Sequence, residues 1–177
     1  MNTIFLIIGE SGSGKTLLTT ALEKKHELKP VPSYTTRKPR FEGEEGHIFV
    51  SDEEFDNLTD IVAYTEFCGN RYAATALQVD ESDIYVIDAQ GIEFFKKAYR
   101  GKKEVRVIYI KSPLHTRFER MEGRGDSFPK VLERIINDVS DFKDAEKYAD
   151  YIVYNDDDTK FCNLVEQVWE YIRTNRD

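Results

Sequence analysis

The sequence predicts an α/β fold in which a parallel sheet is covered by helices on both faces. Three observations carry this. Residues 3–8, Thr-Ile-Phe-Leu-Ile-Ile, form an unbroken apolar, β-branched run, the mark of a strand buried on both sides. A glycine-rich turn follows at once, and beyond Lys15 the apolar residues Leu17, Leu18, Ala21 and Leu22 fall at helical spacing. Further strand and helix patterns then alternate to the end of the chain, as a parallel sheet with crossover helices requires.

Taken in order, residues 84–88 (Ile-Tyr-Val-Ile-Asp) read as a second buried strand closed by a carboxylate. A helix is expected from about Gly91 to Arg100, with Gly101 as its left-handed cap. Val105–Ile110 is a third strand. Ser112-Pro113 supplies an N-cap and a first-turn proline for the next helix. A long polar helix spans about Phe128–Lys147, with Val131, Ile135, Val139 and Phe142 on one face. Tyr151–Tyr154 is a short strand, and Phe161–Ile172 is an amphipathic closing helix. The segment from about Ser33 to Ala76 breaks the alternation. It holds short extended pieces, a capping box at Ser51-x-x-Glu54 and a Gly69-Asn70 turn, and predicts a small antiparallel insert with one helix.

At 177 residues the chain has the length of one domain. Its formal charge of −8 argues against a general nucleic-acid binder, which needs a basic surface. An anionic small substrate stays open, because a local arginine cluster overrides the global sum. Cys68 and Cys162 are too few for a disulfide framework and read as free thiols in a reducing compartment. No basic leader and no stretch of membrane-spanning length is present, so a soluble, cytoplasmic protein is expected.

Gly9-Glu-Ser-Gly-Ser-Gly14-Lys15-Thr16 matches G-x-x-x-x-G-K-[ST] at every constrained position. Glycines let the backbone curl around a phosphate and aim successive N–H groups at it. The ATP phosphates would lie against Gly9, Ser11, Gly12, Ser13, Gly14, Lys15 and Thr16. Lys15 neutralises the β- and γ-phosphates, Thr16 offers a hydroxyl to Mg2+, and the helix N-terminus points its positive end at the same anion. The core is therefore expected to be a P-loop NTPase three-layer α/β/α fold with a parallel sheet.

Ser33-Tyr-Thr-Thr-Arg37-Lys-Pro-Arg40 supplies hydroxyls and three cations in a loop stiffened by proline. Arginines three apart can grip a phosphate in two-pronged fashion, which a lysine cannot copy. A chain carrying both features can bind two mutually repelling polyanions, the requirement for a kinase with a phosphorylated acceptor.

On these residues the chain resembles the guanylate kinases. The phosphate loop, Ser33–Arg40, Gly46-His-Ile-Phe-Val-Ser51, Gly69-Asn-Arg-Tyr72, Ile87-Asp88-Ala-Gln-Gly91 and Tyr154-Asn155-Asp156 stand in that family's order over about residues 4–156. The resemblance implies a single domain over 1–177: a P-loop core of 1–32 and 81–177, a small mixed α/β acceptor-binding insert of 33–80 and a helical lid at about 117–135. It implies that Ser33, Arg37, Arg40 and Tyr72 hold the acceptor phosphate. Asp88 would lie by the acceptor and the Mg2+ water shell, and Asn155 near the adenine. In the lid, where Arg117, Arg120, Arg124 and Arg134 bracket Gly123, Gly125 and Pro129, Arg124 and Arg134 would join Lys15 and Arg37 in stabilising the transferring phosphoryl group. Arg117, by contrast, reads as a solvent-exposed ion-pair partner.

The departures from the family pattern cluster at the base. Ala63 stands where guanine is typically read by a glutamate, Ala74 where a serine or threonine is usual, and His47 where a tyrosine is usual. His47 is either an acceptor contact or a strand surface residue. The expected reaction is transfer of the ATP γ-phosphate to a nucleoside monophosphate, GMP or dGMP, with Mg2+. The expected state is a monomer or homodimer with no nucleic-acid or membrane partner. A kinase for another phosphorylated acceptor such as ribose bisphosphate is the alternative, and a non-catalytic guanylate-kinase-like interaction module is a third reading.

Overall fold

The computed structural model describes residues 1–39, 42–44, 46–67, 69–156 and 160–177. Its central strand β1 (Thr3–Ile8) is buried along its whole length. The residues alternate between two cores, as the two-residue period of a strand demands. Phe5 and Ile7 pack with Leu18, Leu22, Leu164, Val168 and Ile172, whereas Ile4, Leu6 and Ile8 pack with Ile92, Phe95, Val107 and Tyr109. At roughly 1.5–3 kcal/mol per buried aliphatic or aromatic side chain, this one strand is a main source of stability.

The first of those cores is closed by α1 (Lys15–His26) and, at the end of the chain, by a long amphipathic helix. Between them lies a second sheet, built from β2 (Ser33–Thr35), β3 (His47–Phe49), β4 (Ile61–Phe67) and β5 (Asn70–Thr75). Its order is β3-β2-β5-β4. β2 runs antiparallel to β5 but parallel to β3, so the insert is mixed rather than purely antiparallel. It also holds two short helices instead of one. α2 (Asp52–Asp56) starts at the expected Ser51/Glu54 capping box, and α3 (Ala76–Asp80) starts at a second box formed by Thr75 and Gln78.

The chain returns to the main sheet through β6 (Ile84–Val86), α4 (Gly91–Ala98), β7 (Glu104–Lys111), α5 (Leu114–Gly123), α6 (Phe128–Asp141), β8 (Tyr151–Tyr154) and α7 (Phe161–Thr174). The main sheet has the order β6-β1-β7-β8, all parallel. Three local expectations change. α4 stops at Ala98, and Tyr99 is extended with no left-handed cap at Gly101. Gly101 is needed for space instead, since a Cβ there would lie 2.4 Å from the Tyr99 ring. Ser112 does not cap α5: its hydroxyl donates to the Asn155 carbonyl, and Pro113 is the N-cap. The long helix ends at Asp141 and is followed by a separate 3-10 turn, Ala145–Tyr148. Phe142, at the break, stacks on Tyr109 of β7.

Candidate active site

The loop Gly9–Thr16 leaves the carboxyl end of β1 and becomes the first turn of α1. Two of its glycines answer to sterics as well as to flexibility. Gly12 has φ +80° and Gly14 φ +97°, in the left-handed region. A Cβ on Gly12 would meet the Arg117 carbonyl oxygen at 2.7 Å, and one on Gly14 would meet Asn155 Nδ2 at 2.5 Å. Lys15 Nζ folds back to donate to the carbonyls of Gly9 and Glu10, at 2.5 and 3.1 Å. Burial depresses the Lys15 pKa, while Asp138, Asp88 and Glu10 oppose that by favouring the charged form. No acidic side chain occupies the first turn of α1, so its positive end faces the loop unneutralised from within the helix. Thr16 is exposed on that turn.

Asn155, expected near the adenine, is buried beneath the loop. Its side chain donates to the Ser13 carbonyl at 2.8 Å and accepts from Arg120 at 3.3 Å. It braces the outer side of the loop from the end of β8.

The second sheet gathers the acceptor candidates. Ser33 and His47 are register partners across β2 and β3, and Ser33 Oγ lies 2.9 Å from His47 Nδ1. The His47 ring meets Tyr72 edge-on at 5.8 Å between centroids, and Tyr72 is the register partner of Thr35. Arg37, just past β2, lies over the Phe49 ring and forms a two-pronged ion pair with Glu44, at 2.8 and 3.2 Å. The Glu44 carboxylate, with help from the Tyr72 hydroxyl, holds the guanidinium pKa above its usual value. Ser33, Arg37, His47 and Tyr72 are thus brought together. Arg40 lies outside the described residues, as does Cys68.

Asp88 follows β6 and links the two sheets. Crowding by protein raises its pKa; Lys15 opposes the rise, Asp141 adds to it, and a hydrogen bond from the Thr65 hydroxyl opposes it again. Thr65 on β4 is in turn the register partner of Tyr72 on β5. Lys15 and Asp88 therefore bear on each other's charge, and Thr65, which also bears on Asp88, is paired in register with Tyr72 of the acceptor cluster.

α5 and α6 form a hairpin over the loop, with Arg124 to Ser127 at its tip. Arg124 pairs with Asp126 at 2.6 Å and is half exposed. Arg134 lies on α6 between the hairpin tip and Asp138, and its charge bears on both Lys15 and Asp126. Arg117 corrects the expectation of a solvated partner: it is 8% exposed and pairs with buried Asp138 at 2.8 Å. Asp138 and Asp141 are site residues that sequence reasoning misses. Their only signal is a helical spacing of four and seven residues from Arg134, which puts all three on one face.

Ala63 and Ala74 face each other across β4 and β5 and are 4% and 0% exposed, packed in the core with Ile87, Ala89 and Ile92. A separate open groove of about 510 Å3, lined by residues such as Glu23, Leu28, Lys29, Pro30 and Gly46, contains none of the site residues.

The family model described as guanylate kinase matches residues 1–172. A guanylate kinase of Hahella chejuensis is 30% identical over 186 residues, spanning 98% of this chain and 86% of that protein. One from Baumannia cicadellinicola is 34% identical over 176 residues, spanning 87% and 82%. The crystal structure of guanylate kinase from Anaplasma phagocytophilum aligns with a TM-score of 0.65 at 24% identity, over 97% of this chain and 85% of that one, a likeness of fold.

Proposed function

The chain belongs to the guanylate kinase family and is a nucleoside monophosphate kinase; we propose that it transfers the γ-phosphate of ATP to GMP or dGMP, giving the diphosphate. One observation supports this more than any other. A phosphate loop ending in Lys15 is matched, on the second sheet, by a cluster of Ser33, His47, Tyr72 and the forked Arg37, and Asp88 just past β6 bears on the charge of Lys15. That arrangement suits two phosphates brought together for in-line transfer. In this reading the core is 1–32 and 81–177, the acceptor-binding insert 33–80 and the lid about 117–135.

ATP lies with its phosphates against the Gly9–Thr16 amides and Lys15. Ser33, Arg37 and Tyr72 hold the acceptor phosphate, with Arg40 as the proposed second prong. The acceptor oxygen is already anionic at neutral pH, so no general base is needed. Lys15, Arg37, Arg124 and Arg134 stabilise the charge that spreads over the equatorial oxygens in transfer.

Residues suited to Mg2+ are present: the exposed Thr16 hydroxyl, and the Asp88 carboxylate, whose charged form Lys15 favours. Both are hard oxygen donors, and Mg2+ needs only one or two from protein when phosphates and water complete its shell. Among the described residues no cluster of three or more His, Cys, Asp or Glu could hold a metal unaided. Thr16 would bind the ion directly and Asp88 through water; bound there, it neutralises charge on the β- and γ-phosphates.

A second reading draws on the buried Ala63–Ala74 pair, which offers no polar side-chain group to a base. An acceptor recognised by its phosphate alone, such as ribose bisphosphate, would have no need of one. The test is ADP production from Mg-ATP with GMP, dGMP, AMP, CMP, UMP, dTMP, IMP and ribose bisphosphate compared side by side. GMP or dGMP as the preferred acceptor supports the first reading; ribose bisphosphate preferred over every nucleotide supports the second. No helix among the described residues is long and apolar enough to cross a membrane. A cytoplasmic monomer or homodimer that meets nucleotides in solution agrees with this reading.

A further inference from the structure

The transfer reaction assigned above uses Arg134 but leaves the buried pair below it without a task. Asp138 lies one helical turn beyond Arg134, so both side chains project from the same face of α6. Its carboxylate is fully engaged. Oδ2 accepts from the Ser11 backbone N–H at 2.9 Å and from Arg117 Nη1 at 2.8 Å, and Oδ1 accepts from the Ser11 hydroxyl at 3.2 Å. Arg117 and Asp138 are 8% and 7% exposed.

Three elements meet at this carboxylate: the phosphate loop through Ser11, α5 through Arg117 and α6 through Asp138. The Arg117 backbone closes the contact from the other side, against Gly12, where a Cβ would collide. Arg117 belongs to the first half of α5 and Asp138 to the last turn of α6, so the joint lies at the base of the hairpin, opposite its tip.

We propose that Asp138 is a positioning residue for phosphoryl transfer: by fastening α6 to Ser11 it sets the register of Arg134 over the phosphate loop. The geometry has a built-in consequence. A helix pinned at Asp138 turns about that point, and Arg134, about 6 Å along the axis at 1.5 Å per residue, moves with it over the phosphates. Arg117 serves the joint differently. It neutralises the buried carboxylate and ties α5 to α6, but it does not hold the loop in register with α6. Misplacing a catalytic group by about 1 Å can cost on the order of 10²-fold in rate, so a joint that removes play at this scale matters to catalysis.

The inference rests on the kinase reading, and a double-mutant cycle separates the two. Wild-type turnover with ATP and acceptor tests the reading itself. Given turnover, kcat is measured for Asp138→Ala, Arg134→Ala and the double variant; if Asp138→Ala does not fold, Asp138→Leu in the Arg117→Met background, which removes the Ser11 bonds without stranding a buried charge, replaces it. Asp138→Ala is expected to lower kcat at least about tenfold, within the range that such a misplacement allows, with acceptor KM nearly unchanged. In the Arg134→Ala background the same change should cost less than about twofold, because no arginine remains to be misplaced. Arg117→Met is the structural control: it should lower Tm at least as much as Asp138→Ala while keeping kcat within about threefold of wild type, since the Ser11 bonds remain. Multiplicative losses in the cycle, wild-type kcat in Asp138→Ala, or kcat losses in Asp138→Ala and Arg117→Met that simply follow Tm would overturn the inference.

Discussion

Ala63 and Ala74 are paired directly across the β4–β5 hairpin, both are buried, and neither side chain carries a polar group. Sites that read a substrate by polar pairing discriminate strongly, and apolar ones weakly. Selectivity for GMP over AMP, measured as a ratio of kcat/KM, should therefore be modest. Ala63→Glu with Ala74→Ser should raise that preference by about 1–3 kcal/mol, the worth of one or two charge-assisted hydrogen bonds. The same variant should lose stability without ligand, because a carboxylate enters a buried apolar position. A wild type already highly selective for GMP, and not improved by the double change, would place base reading elsewhere.

Lys15 bears on chemistry more than on folding. Its ammonium is buried at a cost, and its partners are carbonyls of its own loop. Lys15→Ala should lower turnover by at least about 10²-fold, the usual loss when one preorganised charge-stabilising group is removed. Its Tm should stay within about 4 °C of wild type, equivalent to roughly 1 kcal/mol at this chain length. Retained turnover in this variant would refute the assigned role.

The Arg37 fork predicts a failure of charge conservation. Both prongs are in use against Glu44, which shows that the side chain is set for a planar two-oxygen partner. Arg37→Lys keeps the charge and loses the fork. Acceptor kcat/KM should fall about tenfold or more, on the scale of one charge-assisted hydrogen bond, with ATP affinity little changed. Equal acceptor kinetics in the two proteins would show the clamp to be misassigned.

The phosphate loop, β1, the Ser51/Glu54 box and β8 were legible in the sequence because each is specified by residues close together along the chain. The same rule makes Thr75-x-x-Gln78 a capping signal, and it marks the start of α3. The Arg117–Asp138–Ser11 joint was not legible, since Ser11 and Asp138 are 127 residues apart and a helical arginine looks alike whether buried or solvated. The parallel β2–β3 pairing likewise depends on where a loop returns the chain. Gly101 misleads for a related reason: a glycine just past a helix suggests a left-handed cap, while here it gives room to the Tyr99 ring.

Tyr99 supplies a pH dependence independent of the site. Its hydroxyl donates to Asp80, and burial, followed by that hydrogen bond, pushes its pKa up to about 12 from 10.0. The folded state therefore favours the neutral phenol. Its contribution to stability is complete below pH 10, where the unfolded phenol is also neutral, and is lost as pH rises from 10 through about 12. Denaturant unfolding across that window should show a decline that Tyr99→Phe flattens. An unchanged slope in the variant would assign the alkaline decline to other groups.

The most direct measurement follows the phosphorus itself. Wild-type protein is given ATP labelled at the γ-position, Mg2+ and GMP, and the products are separated by chromatography. Label is expected in the β-phosphate of GDP, dependent on GMP and reduced at least about 10²-fold in rate in Lys15→Ala. Label found only in inorganic phosphate, or ADP formed at the same rate whether or not any acceptor from the panel is present, would contradict the kinase reading.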